Sequence, residues 1–176
     1  MKMKWQVSSI LTLTFTLFAA ATAAAKSPSA CELLSANDVK TVQGTTFEEA
    51  KLTTSYPNEM VASQCFYRLP SFADSISLTV FRPASPSMDA EEIWEALVEQ
   101  EGKGKEEEEA ERAENHARKI SGIGEEAFWS GNQMAGALYV LKGKAVLRIS
   151  VGGAGTEKTK IEKSRQLAAM ALRGLN

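Results

Sequence analysis

Apolar residues recur along this chain with two rhythms, one of two residues and one of three to four, and the changes of rhythm divide it into elements. The cleanest alternation is Ser75 to Arg82: Ile76, Leu78 and Val80 fall on one side of an extended strand, Ser77 and Thr79 on the other. Phe81 shares that second side, so part of it needs cover as well. Residues 145–151 alternate in the same way, with Ala145, Leu147, Ile149 and Val151 inward and Arg148 and Ser150 outward. Residues 134–141 read as the strand before them, turned back by Lys142-Gly143-Lys144. Glu125 to Ser130 reads as another, running into Gly131-Asn132. In the first half, residues 45–54 are Thr-rich and extended, Tyr56-Pro57-Asn58 is a turn signal, and Gln64 to Leu69 places Cys65, Tyr67 and Leu69 on one face.

The longer rhythm marks helices. Ser35 is an N-cap residue with Asp38 three positions on, an acidic capping box, and Gly44 supplies the left-handed stop. Ser87 or Asp89 caps a second helix whose Ile93, Trp94, Leu97 and Val98 make one apolar stripe, and Gly102 and Gly104 are expected to end it. Thr156 caps a third, with Ile161, Leu167, Ala168, Ala171, Leu172 and Leu175 inward and Glu157, Lys160, Lys163 and Arg165 mostly outward. The order is a helix followed by two strand-strand-strand-helix halves. Short connections favour antiparallel neighbours, so the expected class is α+β: an antiparallel sheet with helices packed on one face.

Residues 1–25 stand apart. Lys2 and Lys4 precede an apolar run from Ile10 to Ala21, too short for a span of about 20 residues, and the stretch closes on Ala23-Ala24-Ala25. This is the pattern of a secretory signal, with cleavage after Ala25 or Ala23. It predicts a single exported domain over 26–176, periplasmic or extracellular, with no stable membrane span. The signal carries two of the 20 Lys and Arg and none of the 22 Asp and Glu, which leaves the domain with a net charge of −4. An acidic domain has no general attraction for nucleic acid. Residues 103–119 are dominated by Glu, Lys and Arg without an apolar stripe, and are read as a charged excursion from the domain.

The export signal changes how the two cysteines are read. In an oxidising compartment an even pair in a small domain reads as a disulfide, and Cys31 and Cys65 allow only one intramolecular pairing. Closing such a loop contributes roughly 3–4 kcal/mol in the chain-entropy view. Lipid anchoring at Cys31 is disfavoured, because Pro28-Ser29-Ala30 precedes it where a lipidation site wants a Leu-like residue, and Lys26 separates it from the apolar run.

Three segments carry a resemblance: Cys31-Glu32-Leu33-Leu34-Ser35-Ala36-Asn37-Asp38-Val39, Gln64-Cys65-Phe66-Tyr67, and Gly122-Ile123-Gly124-Glu125-Glu126-Ala127-Phe128. Together they resemble a loose group of small exported bacterial domains of unknown function, often lipoproteins. The resemblance implies a compact α+β fold with a structural disulfide, and no catalytic residue.

Candidate chemistry is sparse. His116, the only histidine, lies in the charged excursion. With both cysteines paired few metal ligands remain, so no metal or cofactor site is expected. Gly122-Ile123-Gly124 lacks the rest of a phosphate loop, and adjacent Glu125 and Glu126 on a strand point to opposite faces. The expectation is a non-catalytic binding or interaction module whose partner is an envelope protein, a peptide or a glycan. Its ligand platform is assigned to strand aromatics: Trp129, Phe128 and Tyr139. The alternative is an enzyme with an unfamiliar carboxylate or serine centre, which requires a concave pocket of titratable groups with shifted pKa values.

Overall fold

The structure is a computed structural model and describes residues 27–103, 117–132 and 134–175. The signal region, the core of the charged excursion and His116 lie outside them. Elements run in the order α1 (Ala36–Gln43), β1 (Glu49–Ser55), β2 (Met60–Arg68), β3 (Ile76–Pro83), α2 (Ala90–Lys103), β4 (Arg118–Lys119), β5 (Glu126–Gly131), β6 (Gly136–Lys142), β7 (Ala145–Val151) and α3 (Glu157–Leu172). Short 3-10 turns at Ala30–Glu32 and Phe72–Asp74 precede α1 and β3.

The strands form one seven-stranded sheet in the order β1-β2-β3-β7-β6-β5-β4, every neighbouring pair antiparallel. Two meanders therefore meet at their last strands, β3 against β7, with Leu78 opposite Ile149 and Val80 opposite Leu147. The α+β class with helices packed against an antiparallel sheet stands. The elements also follow the expected order, apart from the two-residue β4, which adds a strand at the far edge where Arg118 and Lys119 pair with Trp129 and Phe128.

The placement of helices on one face needs correction. On the first face Tyr67, Ile76, Leu78, Trp129, Leu138, Val140, Leu147 and Ile149 pack beneath α1 and α3. On the second face Met60, Phe128, Ala137, Tyr139, Leu141 and Val146 pack beneath Ile93, Trp94 and Leu97 of α2. The cause is local: β5 and β6 carry unbroken apolar runs, Ala127-Phe128-Trp129 and Ala137 to Leu141, so both of their sides must leave water. A two-fold axis through the β3–β7 seam, normal to the sheet, would put α2 and α3 on the same face. The two halves share an order of elements but not an arrangement.

Local signals explain the ends of the elements. Ser35 and Asp38 make the reciprocal capping box, each side chain bonded to the other residue's backbone N–H, and Gly44 sits at φ 84°. The Asp89 carboxylate caps α2 by accepting from Glu91 N and Glu92 N, and Glu92 bonds back to Asp89 N. Helix α2 continues through Gly102 to Lys103, and Gly104, also expected at its end, lies outside the described residues. On α3, Lys160 is buried rather than outward, because its ammonium donates to the Met134 carbonyl at 3.0 Å.

Cys31 and Cys65 are bonded, with Cα atoms 4.9 Å apart. The bridge fixes the segment before α1 onto β2. There Tyr67 Oη donates to Ala30 O at 3.0 Å and Ala30 N to Ser63 Oγ at 3.1 Å. Among the described residues no helix is long and apolar enough to cross a membrane.

Candidate functional site

The three aromatic residues expected to form a platform are all interior. Trp129 has no exposed surface, Tyr139 retains 2% and Phe128 6%. They are not even together: Trp129 points into the first face, Phe128 and Tyr139 into the second. Phe128 and Tyr139 stack with ring centroids 4.5 Å apart, and Trp94 of α2 closes edge-on over Phe128 at 5.1 Å. Opposite the ring of Trp129 stands Gly136, where an added Cβ would lie 2.2 Å from the indole. The platform is withdrawn, because helices cover both faces where β5 and β6 carry these rings.

A polar network does sit beside the stacked pair. Tyr139 Oη donates to Glu101 Oε1 at 2.6 Å, Ser130 Oγ donates to Glu101 Oε2, and Arg148 Nε donates to Tyr139 Oη at 2.9 Å. Burial pushes the Tyr139 phenol up to about 12, with Arg148 opposing and Glu101 reinforcing the rise. A tyrosine that holds its proton this firmly suits a structural hydrogen bond rather than proton transfer near neutrality. Ser130 and Glu101 form a serine–carboxylate pair, but the serine is buried and its carboxylate partner is already committed to Tyr139. The network fastens the C-terminal part of α2 to β5, β6 and β7.

A concave feature lies at the opposite end of α2. A cleft of about 610 Å³ opens between the end of β3, the loop that follows it, the first turn of α2 and the β6–β7 turn. Arg82, Pro83, Met88, Glu91 and Lys144 are among its walls, and Ser27 reaches it from the N-terminal side. Each wall follows from the sequence. Pro83 closes β3 and Pro86 follows in the break, Asp89 restarts the chain as a helix, and Gly143-Lys144 reverses β6 into β7.

Arg82 is the distinctive group in the cleft. It is half-buried, and burial draws its pKa down. Its Nη2 donates to Pro28 O at 3.1 Å, and no carboxylate among the described residues pairs with it. A guanidinium offers five donors and suits a bidentate acid, so a partly desolvated one with a single carbonyl partner is incompletely satisfied. Asp89 does not serve it, since that carboxylate is engaged with the α2 amides. Lys144 adds a second, exposed positive charge, and Glu91 places a negative charge at the rim.

Sequence reasoning did not single out Arg82. The available signal was the one charged residue of β3, next to a Pro-rich break and a helix start, a pattern that surface arginines share. Among the described residues no cluster of three or more His, Cys, Asp or Glu is placed to hold a metal ion. No family model, curated protein or solved structure matches the chain.

Proposed function

We propose that this chain is an exported, non-catalytic binding module that receives a small acidic or zwitterionic ligand in the cleft beside α2, with Arg82 as the anchor. The observation that carries the reading is the half-buried Arg82 guanidinium, which among the described residues has one hydrogen bond and no carboxylate partner, lining a cleft of about 610 Å³. Volumes of this size are typical of small-molecule sites, which combine apolar walls with a few fixed polar groups. Pro83, Pro86, Met88 and Ala90 supply the first, Arg82 and Lys144 the second. Glu91 at the rim disfavours polyanions and suits a ligand with one acid group, or one that also carries an amine. Export rests on the signal pattern of residues 1–25 and is compatible with the disulfide. The resemblance to small exported domains supports the same reading.

The test is a thermal-shift and calorimetric titration with small carboxylates, free amino acids and inorganic phosphate. A binder stabilises the fold in proportion to the logarithm of its concentration above Kd. At least one carboxylate or amino acid is expected to raise Tm, with the gain reduced at least tenfold in affinity by Arg82→Gln while the unliganded Tm stays within a few degrees. If none of the probes binds, or if Arg82→Gln binds equally well, the cleft is not the site. Turnover of a bound probe would overturn the non-catalytic reading.

A further inference from the structure

The two edges of the sheet are built differently. At one, β4 is only two residues long and both are basic, Arg118 and Lys119. Short strands and positive charges are common ways of preventing edge-to-edge pairing. At the other, β1 presents seven residues, all exposed, in unbroken register with β2 from Glu49 opposite Arg68 to Ser55 opposite Ala62. It contains no proline and no bulge. Glu49 is already paired with Arg68 at 3.2 Å, which leaves Lys51 as the one charge between positions 50 and 55.

Exposed apolar side chains flank this edge, on both faces of the sheet. Among the described residues five large hydrophobic side chains are exposed, and three of them are here: Leu52 on β1 (47%), Tyr56 just beyond it (73%) and Phe72 on the β2–β3 connection (73%). Phe72 lies against Phe66 of β2, ring centroids 5.7 Å apart. An unguarded strand edge flanked by exposed apolar residues is a template for another strand.

We propose that the occupant of this edge is a second copy of the same chain, joined β1 to β1 in antiparallel pairing about a two-fold axis at Leu52. The strand is complementary to its own reverse. Around that axis Leu52 faces Leu52, Lys51 faces Thr53, Ala50 faces Thr54, Glu49 faces Ser55 and Glu48 faces Tyr56. The charged half of the strand thus meets its hydroxyl-rich half, and no like charges stand directly opposite. Alternative centres are limited, because a slip of one residue would invert one sheet relative to the other. Centring on Lys51 would oppose two lysines, and centring on Thr53 would leave each leucine against a threonine. The Leu52 register is the one that covers the exposed leucines with each other. It makes one continuous sheet across both copies. An edge contact of this kind buries less than the roughly 1,200 Å² of standard interfaces, so the dimer is expected to be concentration-dependent.

Sedimentation equilibrium on the purified protein over a wide concentration range tests this, and the result expected is a reversible monomer–dimer equilibrium. Leu52→Lys opposes two charges at the axis and is expected to leave a monomer with an unchanged Tm, whereas Val98→Lys on α2 leaves the dimer intact. Register is read from Lys51→Cys and Thr53→Cys, whose side chains lie on the sheet face away from the Cys31–Cys65 bridge. Mixed under oxidation, the two variants should cross-link faster than either alone. A protein that stays monomeric throughout overturns the proposal, as does a dimer that survives Leu52→Lys. Fastest coupling of Lys51→Cys with itself overturns the Leu52 register. Protection of the β1 amides from exchange only when an unrelated extended peptide is added would assign the edge to another polypeptide and overturn the second-copy proposal.

Discussion

The two faces of the sheet are closed by different means. The first face is sealed by α1, α3 and the disulfide-anchored segment, over a core whose central strand residues are fully excluded from water. The second is covered by a single helix, α2, over a smaller cluster, and its C-terminal part is held by the Glu101–Tyr139–Ser130 hydrogen bonds. One face draws its stability from apolar packing and a covalent tie, the other from a modest apolar patch with a polar latch. The cleft lies where the lightly held helix begins. Binding sites are commonly drawn from the less stable parts of a fold, because a ligand can then order what the protein leaves loose.

The comparison predicts that the largest losses come from the first face. Trp129→Ala removes the largest fully buried side chain and is expected to cost about 3–5 kcal/mol. At about 2–4 °C per kcal/mol for a domain of this size, the melting point should fall by roughly 6–20 °C. Trp129→Phe is expected to cost less than half as much. The indole Nε1 is buried without a hydrogen-bond partner among the described residues, so phenylalanine gives up ring volume but also removes an unsatisfied donor. Thermal melts of the two variants side by side check both statements. A Trp129→Ala protein that melts with the parent would show that the first face is not the stronger one.

That residue also shows what could be read before the structure. Strand identity, the caps of α1 and α2 and the disulfide partners follow from signals a few residues long: alternation at Ile76 to Val80, Ser35 with Asp38, and an even cysteine pair behind an export signal. Which face a strand aromatic occupies is not local. Phe128 and Trp129 are adjacent, so one of them had to lie on the second face, and that face was assumed to be open. Phe81 and the unbroken apolar run of β6 were the clues that it was covered. Arg82 was less legible still, since its meaning depends on Ser27, Lys144 and the start of α2, which are distant in sequence.

The second face should respond more mildly, through its latch. Tyr139→Phe keeps the stacking on Phe128 but deletes the hydroxyl that donates to Glu101 and accepts from Arg148. Hydrogen bonds to charged groups are each worth about 1.5–3 kcal/mol, so losing the two is expected to cost about 3 kcal/mol, the lower end for the pair. Hydrogen exchange should show the loss concentrated in α2, with the amides of α1 and α3 unaffected. Uniform loss of protection would mean that the two faces unfold as one unit and that the contrast between them is only geometric.

The smallest effect, and the most specific to the first face, lies at the start of α1. The Asp38 carboxyl is held below its usual range, first by the hydrogen bond from the Ser35 hydroxyl and then by the Ser35 backbone N–H, with Arg173 contributing at 3.9 Å. A carboxylate whose folded pKa is depressed adds stability that is fully present above its unfolded value, near 3.9. That contribution disappears as pH falls through the lower folded value. Asp38→Asn is therefore expected to melt about 1–3 °C below the parent at pH 6, in line with the modest worth of a helix cap, and the gap should narrow as the pH falls below about 3.9. The α2 cap at Asp89 has the same reciprocal form, and its carboxylate accepts two backbone N–H bonds, but it stands at the mouth of the cleft. If ligand binding orders the start of α2, Asp89→Asn should cost the free protein more than the liganded one. The Asp38→Asn penalty should be the same with and without ligand, and a ligand-dependent penalty at Asp38 would mean that the cleft communicates across the sheet.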